Sequence, residues 1–366
     1  MRNNCLFCGS PKMMTFQSLN KMPVFMGTVK KYGNYKFLEM KYDECADCGN
    51  IQLRQYPDLE SLYLKNHNVD LVGELWKKHF EEFKSFIGDL WNKKVLEISD
   101  PAAKLAKICD NYDNWTIMEL NPHFESTDKI RVIKQFFSKD TELDFTPDII
   151  VHSHFFEHSL NPFEDLKKMW EILPTDGQMF FSIPDLWSLI KQSNSPTALN
   201  FEHTYYYDIE SMSNLLKRTG FKIQNIKLFD KHSIFFHVEK NTPNDKSFVY
   251  KSNKDIIKNC YEFHRSNIEV INDELKKEKN VFIYGAHVTS QYYLFNGLNL
   301  EIRGILDRSV SKNGEYLYGT SLKTFFPDEI LKYEECSVIV SHSSVYKDEI
   351  IDNLSQIIGK KDVKFL

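Results

Sequence analysis

Apolar residues follow two rhythms along this chain. Largely apolar runs occupy residues 95–98, 149–151, 179–183 and 281–284, interrupted only by Glu97 and Ser182, the pattern of strands buried on both faces. Between them come segments with apolar residues at helical spacing. Leu166, Met169, Trp170 and Leu173 form one such stripe after Asn161-Pro162, and residues 209–217 form another before Gly220. A longer stripe, Leu71, Val72, Leu75, Trp76, Phe80, Phe83, Phe86, Ile87 and Leu90, predicts a helical connector over residues 59–90. Strands are further predicted over 36–42, 116–120, 302–307 and 336–341, with a closing antiparallel hairpin over 221–228 and 233–238. Residues 99–106 should turn into a helix, and another long helix should run to about residue 279.

Strands alternating with helices imply an α/β fold with a parallel sheet. With 366 residues the chain exceeds one ordinary core. The polar stretch 240–246 reads as a linker, so three domains are expected: 1–58, 59–240 and 241–366. A net charge of −5 disfavours a nucleic-acid coat or an acidic membrane surface as partner. There is no apolar leader region at the start and no long apolar run, so a soluble, cytoplasmic protein is expected.

The chemistry collects in three places. Cys5-x-x-Cys8 and Cys45-x-x-Cys48, each followed by glycine, offer four thiolates, the donor set of a structural zinc site. Glu97 in the first buried run and Glu119 at the end of the next are spaced as in a nucleotide-binding half, where a carboxylate accepts hydrogen bonds from ribose hydroxyls. The turn after the first run, Ser99-Asp100-Pro101-Ala102, has no glycine. Finally, His152, His154, Glu157 and His158 crowd the end of the strand at 149–151, where open α/β sheets place their ligands. Glu202-His203 follow later, then Tyr205-Tyr206-Tyr207. A neutral histidine, with a pKa of about 6.5, is a suitable base near neutrality.

These residues together resemble the sugar C-methyltransferase family of S-adenosylmethionine enzymes. The likeness spans nearly the whole chain: both C-x-x-C pairs, Val95-Leu96-Glu97-Ile98, Asp148-Ile149-Ile150-Val151 with His154-Phe155-Phe156-Glu157-His158, Glu202-His203, Tyr284-Gly285-Ala286 and Lys312-Asn313-Gly314. The resemblance implies a zinc-binding amino-terminal domain, a Rossmann-like class I methyltransferase core and a Rossmann-like carboxyl-terminal domain. It implies S-adenosylmethionine as cofactor, held by Glu97, Ser99, Asp100, Ala102, Glu119 and His154. It also implies a nucleotide-linked keto-sugar as substrate, with His158, Glu202 and His203 as the catalytic group. In this reading Glu202 orients His203, Tyr205 or His158 holds an enolate oxygen, and Phe201 with Tyr205 to Tyr207 lines the pocket. The chain departs from the family at the glycine-free turn and at Asn200, where a tyrosine is expected. An O- or N-methyltransferase on another small metabolite, or a non-catalytic binding protein with a decayed cofactor turn, are the alternatives.

Overall fold

The computed structural model describes residues 1–62, 74–110, 112–193, 196–244, 248–340, 344–358 and 363–365. His67, Leu71 and Val72 lie outside them.

The chain opens with a small antiparallel sheet. Strand β1 (Met13–Pro23) pairs with β3 (Phe37–Cys45), and β3 with β4 (Ile51–Leu53), while a short β2 (Thr28–Val29) stands apart. The register sets Met13 opposite Cys45, so both cysteine turns arrive at one end of the sheet. Gly49, just past the second turn, has φ of +78° and packs against the Lys251 backbone, where a Cβ would collide. Gly49→Ala is therefore expected to cost about 2–4 kcal/mol, combining left-handed strain with overpacking, which urea unfolding would measure.

Helices α1 (Leu59–Leu62) and α2 (Glu74–Ile87) lead into the middle of the chain. There β5 (Lys94–Ile98), α3 (Lys104–Ile108), β6 (Asn114–Met118), β7 (Ile130–Ile133), β8 (Ile149–Ser153), α4 (Pro162–Ile172), β9 (Gln178–Pro184), α5 (Leu186–Ser193), β10 (Tyr205–Tyr206), α6 (Ile209–Arg218), β11 (Phe221–Phe229) and β12 (Ser233–Lys240) follow. Seven of these strands form one sheet in the order β11-β12-β9-β8-β5-β6-β7. β5 to β9 are parallel, and β12 runs antiparallel between β9 and β11. The order reverses between β5 and β8, leaving a crevice at the carboxyl ends of the central strands. Alternation along β5 divides the core: Leu96 and Ile98 join the cluster under α4 and α5, whereas Val95 packs with Phe83 of α2 and Leu105 of α3. Local signals agree with these elements. Asn161 caps α4 with Pro162 next to it, and Asp208 with Ser211 forms a capping box on α6.

The last stretch starts with α7 (Lys254–Leu275), which stops short of residue 279. Then come β13 (Val281–Tyr284), α8 (Val288–Phe295), β14 (Ile302–Leu306), β15 (Tyr316–Leu317), β16 (Thr324–Phe325), β17 (Cys336–Val340), α9 (Ser344–Ile358) and β18 (Val363–Phe365). Its sheet is parallel, ordered β16-β14-β13-β17-β18.

The three sheets are tied together. β10 pairs with β4, adding a strand from the middle of the chain to the first sheet, and β15 pairs with β2. The buried Arg2 donates to Thr204 O (2.8 Å) and Leu160 O (2.7 Å), and the Tyr42 and Tyr261 hydroxyls meet at 2.7 Å. Among the described residues no helix is long and apolar enough to cross a membrane.

Candidate active site

A cleft of about 520 Å³ opens at the crevice, and all nine residues expected in the catalytic and cofactor groups line it. One wall is the turn after β5 with Glu119, and the other is His158, Asn200, Glu202 and His203. Met26 from the first sheet's side and His287 from the last stretch also border it.

The turn after β5 takes a glycine-like path without glycine. Ser99 has φ of +65° and Ala103 of +53°, both in the left-handed region. Asp100 holds the turn by accepting from the Ala102 and Leu105 amides at 3.0 and 3.2 Å, so its carboxylate is engaged with the backbone. Because Ser99 is exposed, Ser99→Gly should remove its strain and stabilise the chain by about 1 kcal/mol, read as a higher melting temperature. The strand before Glu119 ends at Met118, two residues earlier than expected, and Glu119 sits in the following loop. Its carboxylate accepts from Asn121 N at 2.9 Å, and burial raises its pKa. Glu97 points into the core face of β5, where Trp115 Nε1 donates to it at 2.7 Å, and burial raises its pKa well above the ordinary value. Its carboxyl is thus engaged with the indole.

On the opposite wall, Asn200 Oδ1 accepts from the amides of Glu202 (2.7 Å) and His203 (3.1 Å). This asparagine turn precedes β10, so Glu202 and His203 do not follow strand alternation and both border the cleft. His203 Nδ1 lies 2.8 Å from Ala198 O. A carbonyl only accepts, so Nδ1 carries the proton and Nε2 is the basic nitrogen. Glu202 Oε2 lies 3.7 Å from His158 Nδ1, with Glu157 Oε1 4.0 Å from the other nitrogen of His158. Burial lowers the His158 pKa and the two carboxylates act against that, while burial raises that of Glu157. The His158 and His203 rings are 5.3 Å apart.

Three expectations are corrected. His152 is fully buried, stacked on Phe181 with centroids 5.0 Å apart, and belongs to the core rather than the cleft. The Tyr205 hydroxyl donates to Phe156 O and that of Tyr206 to Ala198 O, so neither can hold an enolate oxygen. Phe201 and Tyr205 to Tyr207 are likewise core residues, and the aromatic lining comes instead from Trp76, Phe80, Phe136, Phe137 and Phe155. Lys312 bonds Asp307 Oδ2 (3.0 Å) and Ala286 O (3.2 Å).

His79 and His232 were not among the residues the sequence pointed to. Both meet His154 beside the cleft, from a helix, a strand end and a hairpin turn that only the fold brings together. No spacing in the sequence signals this.

The four patterned cysteines converge. Cys5 and Cys48 sulfurs are 3.6 Å apart and those of Cys8 and Cys45 are 3.5 Å apart. Zn–S bonds of about 2.3 Å in a tetrahedron imply an edge of about 3.8 Å, so the donor set fits zinc closely. Gly9 N donates to Cys5 O and Gly49 N to Cys45 O, which makes the two turns equivalent.

The order β11-β12-β9-β8-β5-β6-β7, with a cleft at its reversal, defines the middle of the chain as a Rossmann-like class I methyltransferase fold. Residues 76–226 match the family model described as "Methyltransferase domain". Similar solved structures include an S-adenosylmethionine dependent methyltransferase from Mesorhizobium loti, 8% identical, covering 44% of this chain and 96% of that one, with a TM-score of 0.38. A SAM dependent methyltransferase from Aquifex aeolicus is 13% identical, with coverages of 48% and 95% and a TM-score of 0.35. The N-methyltransferase NodS from Bradyrhizobium japonicum WM9, in complex with S-adenosyl-l-homocysteine, is 12% identical, with coverages of 48% and 94% and a TM-score of 0.36. Comparison with curated proteins gives no match.

Proposed function

We propose that this chain methylates a carbon beside the carbonyl of a nucleotide-linked keto-sugar, with S-adenosylmethionine as methyl donor and a structural zinc on Cys5, Cys8, Cys45 and Cys48. The observation that carries the reading is the pairing of a base-competent His203 with a histidine held between two buried carboxyls. Methylation of oxygen or nitrogen needs no carbon acid, whereas a carbon nucleophile must first be made.

The cofactor supplies an electrophilic methyl group on a sulfonium. Glu119 and the turn Ser99 to Ala102 would hold it, with the aromatic wall keeping water out. His203 Nε2 takes the proton from the carbon, and the C–H electron pair moves into an enolate. His158, standing between Glu157 and Glu202, donates its ring N–H to the enolate oxygen. Asn200 keeps Glu202 and His203 on the cleft wall.

The test is isotope exchange. A nucleotide-linked keto-sugar incubated in heavy water with the enzyme and no cofactor should take up deuterium beside its carbonyl. With S-adenosylmethionine added, the product should carry a new carbon–carbon bond by NMR. Methylation on oxygen or nitrogen without exchange would replace this reading with the O- or N-methyltransferase one.

A further inference from the structure

Beside the catalytic wall, three imidazoles from separate elements share one point. His79 comes from α2, His154 follows β8, and His232 lies in the turn before β12. One ring nitrogen of each lies within 4.8 Å of the others. All three rings contact a single hydroxyl, Ser233 Oγ: His79 Nδ1 at 3.1 Å, His154 Nε2 at 2.8 Å and His232 Nδ1 at 2.7 Å. Trp76 closes the cluster, its ring 4.8–5.1 Å from all three imidazoles.

We propose that His79, His154 and His232 form a second metal site, for a first-row divalent cation such as Zn²⁺ or Co²⁺. The far side of two of the rings argues for this. His154 Nδ1 lies 3.3 Å from Glu157 Oε1, and His79 Nε2 lies 3.0 Å from Ser153 Oγ and 3.4 Å from Ser182 Oγ. Ligating histidines characteristically give their other N–H to a carboxylate or another oxygen, which turns the lone pair of the first nitrogen toward the metal. With those outer protons in place, His79 and His154 both aim lone pairs at Ser233, and a hydroxyl has only one proton to give. A cation answers all the converging lone pairs at once.

Burial keeps the rings neutral, as ligands must be: the pKa is about 2 for His79, about 3 for His154 and about 4 for His232. Metal–nitrogen bonds of about 2.0–2.1 Å require the nitrogens to close in by about 1 Å and Ser233 to rotate aside or join as a ligand. Three imidazoles with room for an oxygen ligand is a donor set that suits zinc or cobalt. His154 and His232 border the cleft, so that oxygen would be water or an oxygen of a bound molecule. The positive φ of His154, +54°, is in keeping with a side chain whose direction matters. The inference stands apart from the methyl-transfer reading and does not require it.

Cobalt titration of the full chain, with zinc already on its cysteines, tests it. One further equivalent of Co²⁺ should bind, giving visible bands without thiolate charge transfer and quenching Trp76 fluorescence. His232→Ala should lose that equivalent and retain its zinc, and Glu157→Gln should weaken it about 10–100-fold. The quench should disappear in Trp76→Phe while the bands remain, so the result does not depend on any one histidine variant folding. No Co²⁺ binding beyond the cysteine site at millimolar metal, or equal binding in a folded His232→Ala, would overturn the proposal and leave Ser233 as a hydrogen-bond hub.

Discussion

His203→Ala is expected to lower kcat by about 10²–10⁴, the usual range for loss of a general base, with melting temperature and cofactor affinity unchanged. The argument rests on proton placement. Ala198 O fixes the Nδ1 proton, so the nitrogen left to take a proton is Nε2. Deuterium exchange into the substrate should fall by the same factor, because exchange reports proton removal without methyl transfer. Asn200→Ala should act more weakly in the same direction. It removes the acceptor of the Glu202 and His203 amides, so the wall loosens while every titrating group stays. A His203→Ala enzyme with full exchange would remove His203 from the mechanism.

The second large effect concerns the cysteine site. Cys45→Ser, or exhaustive chelation, should lower the melting temperature by about 10 °C or more. Structural zinc contributes several kcal/mol of folding free energy, and 1 kcal/mol shifts the midpoint by about 2–4 °C in domains of this size class. Damage should also reach the cleft. The first sheet contains β10, which directly follows Glu202 and His203, and Met26 borders the cleft from the same part of the chain. Lost metal should therefore reduce cofactor affinity as well as stability. Scanning calorimetry with and without chelator measures the first effect and a cofactor titration the second. An unchanged melting temperature after verified metal removal would contradict a structural role.

Much of this was legible in the chain. Largely apolar runs marked the central strands because parallel strands covered on both faces tolerate few polar residues. Equal C-x-x-C-Gly turns marked the four sulfurs because a tight turn is the local geometry that brings two thiolates to one ion. Glu119 and His158 were visible because strand ends in open sheets face the ligand, and Glu202 and His203 through the family resemblance. What stayed hidden depends on tertiary contact. Asp100 borders the cleft as expected of a cofactor group, and that its oxygens also cap their own turn is visible only in the fold. Tyr205 to Tyr207 looked like a pocket wall, but pairing of β10 with β4 seals them in the core. His79, His154 and His232 are far apart in sequence, and no periodicity relates a helix, a strand end and a hairpin turn. The glycine-free turn left a decayed cofactor site open as an alternative, and in the fold Ser99 and Ala103 adopt the left-handed path that glycine would take.

That turn carries the central claim, so cofactor binding is the measurement that tests it most directly. Calorimetric titration with S-adenosylmethionine should show saturable binding of one molecule per chain. Glu119→Ala should weaken it by about tenfold or more, the loss of hydrogen bonds to a charged acceptor worth about 1.5–3 kcal/mol. No heat at millimolar S-adenosylmethionine, from folded protein with its cysteine site filled, would contradict the account.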